Sequence, residues 1–214
     1  MTASLVATDT VTLAVLAKAP VPGKVKTRLC PPCTPDQAAA LAAAALADTL
    51  AAAALAPVAR RLLVLAGETD GGWPPDWDVI PQRGEDHGTR LAHAYADAEG
   101  PTVLIGMDTP QVTAELLATA VGALQHHDAV LGLAEDGGWW LMGVRDPAAA
   151  AVLTDVPMST PDTGRLTIEA LQSQALRVAS VPALRDVDTF PDALAVATAA
   201  PHTRFARALR KATP

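Results

Sequence analysis

Lys18-Ala-Pro-Val-Pro-Gly-Lys-Val-Lys-Thr-Arg28 is the stretch on which the reading of this chain turns. The apolar run from Val11 to Ala17 leads into it, as a buried strand would. Four cations, Lys18, Lys24, Lys26 and Arg28, then crowd a loop that Pro20, Pro22 and Gly23 hold out of regular structure. The 214-residue chain has a formal net charge of -7, so a cationic cluster on it needs a local reason. A strand that ends in a rigid, basic, glycine-containing loop offers charge-assisted donors to a bound polyphosphate.

Strands and helices alternate outward from that loop. After the strand Val11 to Lys18, Thr34-Pro-Asp-Gln37 reads as a helix start, with Thr34 as cap, Pro35 at the first position and Gln37 closing a capping box. The Ala-rich helix then runs to about Leu55. Strands are expected at 61–66, 76–80, 102–107, 128–134, 139–144 and 175–181, and helices at 86–99, 113–126, 160–174 and 189–199. Such alternation specifies an α/β fold, a three-layer α/β/α sandwich over a mainly parallel sheet. Residues 1–10 read as a flexible N-terminus, 11–200 as one domain, and 201–214 as a basic tail or short helix.

Composition excludes several classes. Half of the residues are hydrophobic, ample for a core, and the longest apolar runs are Ala-dominated and broken by polar residues, as in buried helices rather than membrane spans. Met1 to Thr10 lacks the basic and apolar regions of a signal peptide, so a cytoplasmic protein is expected. The acidic balance argues against a nucleic-acid binder. Cys30-Pro-Pro-Cys33 has no second pair to complete a zinc site and reads as an incidental loop pair, with a redox role as the other option. Neither a Gly-x-Gly-x-x-Gly fingerprint nor a Walker loop follows the first strand, and no Ser-His-Asp arrangement is evident. A homodimer is only a generic expectation.

In an open α/β sheet, ligands bind beyond the carboxyl ends of the strands. The polar clusters of this chain fall at those ends. Asp108 in Gly106-Met-Asp-Thr-Pro110 closes an apolar strand, a setting costly for a free anion and useful to a divalent cation, unless the carboxylate only caps the following turn. Asp188, in Asp186-Val-Asp-Thr189, sits in the same context, although it equally suits a helix cap. Two carboxylates converging on one Mg²⁺ or Mn²⁺ would let the ion bridge phosphates held by the basic loop. Asp136-Gly-Gly is also a hairpin signal. Trp139 and Trp140 would point to opposite faces of a strand, one to the core and one to a ligand ring. The Gln82 to Arg90 segment either passes a base close to backbone amides or simply caps a helix.

Lys18 to Leu29, Gly106-Met-Asp-Thr-Pro110, Asp136-Gly-Gly-Trp-Trp-Leu-Met-Gly143, Ser159-Thr160 and Asp186-Val-Asp-Thr189 occur in that order. Together they resemble the bacterial glycosyltransferase-A-like proteins of largely unknown function, relatives of the 2-phospho-L-lactate guanylyltransferases. The resemblance extends from about Val11 to Ala199. It implies a nucleotide-diphospho-sugar transferase fold and a divalent metal, Mg²⁺ or Mn²⁺, held by Asp108 and Asp188. It implies that Lys26 and Arg28 hold the phosphates, within a nucleotide and phosphate site made by Lys18, Ala19, Pro20, Gly23, Lys24, Thr27, Gln82, Gly84, Gly88 and Arg90. Asp136, Gly137, Gly138, Trp139, Trp140, Ser159 and Thr160 would line the sugar or acceptor side. Trp139 stands where relatives often carry Tyr, and Met158 where they often carry Trp, and both changes bear on the second substrate.

The leading expectation is a metal-dependent glycosyltransferase-like enzyme that binds a nucleoside-diphosphate sugar and a small-molecule acceptor, with Asp136, Arg28 and Lys26 as catalytic residues. The alternatives are a nucleotidyltransferase joining a nucleoside triphosphate to a small phosphorylated metabolite, and a nucleotide-sugar ring mutase. A non-catalytic nucleotide-binding module is the option outside enzymology.

Overall fold

The computed structural model describes residues 10–68 and 71–212. The N-terminus expected to be flexible thus lies, except for Thr10, outside the described residues. The strands are β1 (Thr12–Lys18), β2 (Arg60–Ala66), β3 (Asp78–Pro81), β4 (Thr102–Gly106), β5 (Ala129–Ala134), β6 (Trp139–Val144) and β7 (Val178–Leu184). The helices are α1 (Pro35–Ala54), α2 (His87–Ala98), α3 (Ala114–Ala123), α4 (Thr163–Ser173), α5 (Phe190–Ala199) and α6 (Arg204–Ala212). One sheet holds all seven strands in the order β3-β2-β1-β4-β6-β5-β7. Every pairing is parallel except those of β6, which runs antiparallel to β4 and β5.

Both faces of the sheet are covered, which is why the runs Leu13 to Ala17 of β1 and Val103 to Ile105 of β4 are apolar without alternation. Along β1, Leu13, Val15 and Ala17 enter a core shared with Ala39 and Ala42 of α1 and Leu117 of α3. Ala14, from the opposite face, joins Leu91 and Ala94 of α2 and Leu171 of α4. Tyr95 of α2 is fully buried there; its hydroxyl donates to the Met142 carbonyl at 2.7 Å, and burial pushes its pKa well up. The result is the expected three-layer sandwich with a mainly parallel sheet.

Local signals set most boundaries. The Thr34–Gln37 capping box is formed in both directions. Asp86 caps α2 by accepting from the Thr89 amide at 2.8 Å, which holds its carboxyl below the usual range. Thr189 and Asp192 make a second capping box at α5. Some boundaries shift, among them the helix expected at 113–126, which ends at Ala123. The helix expected from Thr160 begins at Thr163, because Thr160 and Pro161 belong to a turn tied by Thr163 Oγ1. The last strand begins at Val178 rather than Ala175, whose φ of 61° ends the α4 segment in the left-handed region. A 3-10 helix at Pro147–Thr154, started by Asp146 and Pro147, has no counterpart in the sequence reading.

The basic C-terminal segment is helix α6. Both carboxylate oxygens of Asp48 cap its first turn, accepting from the Arg204 and Phe205 amides at 3.0 and 2.8 Å. Phe205 and Leu209 then bury against Leu41 of α1 and Val196 of α5. At 20 residues α1 is long and apolar enough to cross a membrane, yet half of its apolar window is buried inside the protein.

Candidate functional site

Residues at the carboxyl ends of β1, β4 and β7 and at the β5–β6 turn surround a cavity of about 700 Å³. The size suits a nucleotide-scale ligand.

On the β1 side the chain leaves the sheet at Lys18, whose amide lies 3.2 Å from the Met107 sulfur of the β4 loop. It then turns back through Gly23 (φ 76°) and Lys26 (φ 49°), a left-handed position that a non-glycine residue keeps only when neighbours hold it. The holding is ionic. Lys26 is 9% exposed, and its ammonium lies 2.6 Å from Asp108 Oδ1 and 3.7 Å from Asp188 Oδ1. It also donates to the Val187 carbonyl. The main chain repeats the link, with the Val187 amide donating to the Asp108 carbonyl at 2.9 Å. Arg28, 75% exposed, reaches Asp188 Oδ2 at 3.3 Å. The carboxylates expected to receive a metal therefore already share a cation. Lys26, expected to hold phosphates, spends its charge on them.

Lys18, Lys24, Gln82 and Arg90 also line this side. Gln82 directs its amide NH₂ to the carbonyls of Ala17 and Val64, at 2.8 and 3.2 Å, and so joins the ends of β1 and β2. Arg90 folds back on the Gly84 carbonyl at 2.9 Å. His87, the first residue of α2, shares the wall. Burial lowers its pKa, and the Lys18 and Arg90 charges lower it further.

On the opposite side, the Asp136 turn forms the wall. Asp136 Oδ1 accepts from the Gly138 amide at 2.9 Å. A side chain on Gly137 (φ 93°) would meet the Pro161 carbonyl oxygen at 2.0 Å, and one on Gly164 would meet the Gly138 carbonyl at 2.6 Å. The Gly164 amide donates to the Gly137 carbonyl at 2.8 Å. These close approaches seat the turn directly on the Ser159–Pro161 segment. Ser159 is itself left-handed at φ 59°. The Thr160 hydroxyl lies 3.3 Å from Thr163 Oγ1. Trp140 packs inward at 2% exposure, its Nε1 donating to the Pro182 carbonyl at 3.1 Å, in space left free by Gly132. Trp139 faces the cavity beside Met158. The two indoles point to opposite faces of β6, and Trp140, although packed in the core, still borders the cavity.

Asp186, absent from the expected site residues, lies in the same wall. Burial raises its pKa to about 7, and the Asp108 and Asp136 charges add to the rise against the opposing effect of Lys26. Its Oδ1 is buried without a hydrogen-bond partner. Alternation along Asp186-Val-Asp188 was the available signal, since it leaves Val187 in the core and both aspartates at the cavity. For His87 the signal was the cap Asp86 directly before it.

Lys18, Lys24, Lys26, Arg28, Gln82, Arg90, Asp108, Asp136, Gly138, Trp139, Trp140, Ser159, Thr160 and Asp188 all contribute to the cavity. Ala19, Pro20, Gly23, Thr27, Gly84, Gly88 and Gly137 do not line it. Ala19 is buried under Gly67. Gly84 turns the chain onto the Arg90 amide, and Gly88 lets α2 approach the Leu153 carbonyl of the 3-10 helix, where a Cβ would fall at 2.2 Å. Each of these two glycines has a packing reason of its own. Cys33 is buried beside the start of α1 and Cys30 is half-buried; both are free thiols.

A family model described as an uncharacterised protein conserved in bacteria (DUF2064) matches residues 38–160. A protein of Desulfovibrio desulfuricans G20, provisionally assigned as a nucleotide-diphospho-sugar transferase, is 30% identical over 94% of each chain, with a TM-score of 0.84. Rv0371C of Mycobacterium tuberculosis H37Rv, solved in complex with manganese, is 22% identical over 87% of this chain and 97% of its own, with a TM-score of 0.51. The 2-C-methyl-D-erythritol 4-phosphate cytidylyltransferase of Thermus thermophilus is 16% identical over 90% of this chain and 99% of its own, with a TM-score of 0.58. No curated protein matches.

Proposed function

The chain belongs to the DUF2064 family of proteins conserved in bacteria, and on that premise we propose that it is a divalent-metal-dependent transferase that binds a nucleoside-diphosphate sugar and acts at its anomeric centre. The observation that carries this reading is the convergence of Asp108 and Asp188 on one cation, 2.6 and 3.7 Å away, at the foot of a basic loop. Two half-exposed carboxylates that already accommodate an ammonium form a hard oxygen donor set, which fits Mg²⁺ or Mn²⁺ completed by phosphate oxygens and water. The manganese complex of Rv0371C and the provisional assignment of the Desulfovibrio protein agree with it.

When bound, the dication supplies charge neutralisation for the departing diphosphate. The chain's own residues do the rest. Lys24 and Arg28 bind the phosphate oxygens, and the charge that develops on them as the anomeric bond breaks is stabilised by these fixed cations. Gln82 keeps the ends of β1 and β2 in register beneath the nucleotide. Asp136, fixed by the Gly138 amide through one oxygen, orients the acceptor hydroxyl and takes its proton as the new bond to the anomeric carbon forms.

A second reading, transfer of a nucleotidyl group from a triphosphate with loss of pyrophosphate, draws on the shared fold of the cytidylyltransferase. Thermal-shift titration decides between them. With Mn²⁺ present, nucleoside-diphosphate sugars are expected to raise the Tm at lower concentration than nucleoside triphosphates do. A triphosphate-selective shift together with pyrophosphate release on adding a phospho-acid supports the second reading, and no shift with any nucleotide overturns both.

A further inference from the structure

Among the described residues, Thr109 Oγ1, Trp139 Nε1 and Asp186 Oδ1 are buried without a hydrogen-bond partner, and all three residues belong to the cavity wall. They lie on one side of it, following β4, opening β6 and following β7. A buried polar atom left unpaired is destabilising, so three together mark a place where a ligand can supply partners. Their chemistry is mixed: an indole that only donates, a carboxylate oxygen that accepts, and a hydroxyl that does both. From β4 to β7 the lining contains no lysine or arginine, while Asp108, Asp136, Asp186 and Asp188 all face the cavity. The two cations that reach across, Lys26 and Arg28, are engaged by Asp108 and Asp188.

We propose that this half of the cavity takes an uncharged, polyhydroxylated acceptor, a sugar or cyclic polyol, and rejects phosphorylated ones. Hydroxyl groups both donate and accept, so one such ligand satisfies the indole, the carboxylate and the Thr109 hydroxyl at once. A phosphate offers only acceptors and brings a dianion toward Asp136 and Asp186, the two carboxylates of the wall that Lys26 and Arg28 do not pair. Trp139 and Met158 add an apolar surface for the ring face. The proposal rests on the donor reading above only in calling this ligand the acceptor.

Saturation-transfer NMR without nucleotide or metal reads the preference directly. Methyl glucoside and myo-inositol are compared with glucose 6-phosphate and inositol monophosphate, and the neutral compounds are expected to bind at least about tenfold more tightly. Trp139→Leu and Asp186→Asn are each expected to weaken the neutral ligands by a similar factor. In both variants a nucleoside diphosphate with Mg²⁺ still raises the Tm, which shows that the fold and the basic half survive. Equal or tighter binding of the phosphate esters, no transfer to any neutral compound, or neutral binding indifferent to both substitutions overturns the proposal. Absence of a nucleoside-diphosphate shift in the unsubstituted protein counts against the donor reading instead, since the NMR comparison stands without it.

Discussion

The two banks of the cavity differ in charge and in how they are built. The β1 bank carries Lys18 at the end of β1, Lys24 on the loop that follows and Arg90 in the first turn of α2. The β5–β7 bank carries carboxylates and an indole on a turn fastened by main-chain contacts, with Gly137 and Gly164 in van der Waals reach of neighbouring backbone. The contrast shows how one cavity can separate two substrates. Under the function proposed above, long cations would adapt to a flexible polyphosphate and a rigid acidic wall would select shape and neutrality.

The largest expected effect strikes the rigid bank alone. Gly137→Ala forces a Cβ to within 2.0 Å of the Pro161 carbonyl oxygen at a left-handed φ, and is expected to cost about 3 kcal/mol in denaturant unfolding. Its nucleotide response should persist, and equal damage to both banks would show that they are not independent. Asp108→Asn, at the boundary, is expected to remove the metal-dependent part of nucleotide stabilisation, about 2.7 kcal/mol at a hundredfold excess over Kd, read as a lost Tm shift. A retained metal response removes Asp108 from the site.

Lys26→Met leaves Asp108 and Asp188 facing each other without their shared cation. Because those carboxylates are about 43% and 44% exposed, water screens part of the penalty, and about 2 kcal/mol of lost stability is expected, recoverable by Mn²⁺ without nucleotide. On the basic bank, His87 faces Lys18, Arg90, Asp86 and Asp108, and its folded pKa lies below the ordinary 6.5. Unfolding therefore takes up a proton in that range, so this contribution to stability is complete above about pH 6.5 and is lost as pH falls through the lower folded value. His87→Asn should flatten that part of the pH–stability curve, and an unaltered slope assigns it to another group. The smallest effect belongs to Arg28→Ala, expected to change stability by about 0.5 kcal/mol because the pair is exposed, while weakening nucleoside-diphosphate binding measurably in calorimetry.

The sheet was legible because strands covered on both faces are written as unbroken apolar runs, and the first helix because Thr34 announces its cap, whereas at α5 the cap is Thr189, one residue past the Asp188 that the sequence offered. The strand-end motifs identified Asp108, Asp136 and Asp188 for the same reason. What sequence spacing could not carry was approach across the fold. Gly88 and Gly137 are glycines for the sake of Leu153 and Pro161, residues distant in the chain. The Lys26 partners lie 82 and 162 positions downstream, and nothing local announces that pairing. Asp186 escaped notice because its environment is made by three other loops.

Lys26 has its backbone on one bank and its charge on the other. A dication held between Asp108 and Asp188 would displace the ammonium, and with it the side-chain tether to Val187 that helps hold a left-handed backbone in place. Metal arrival and loosening of the loop around Lys26 would then be one event. Amide hydrogen exchange in that loop becomes a gauge of metal occupancy, quickening when the ion enters and slowing again when a diphosphate offers the freed lysine a new anion.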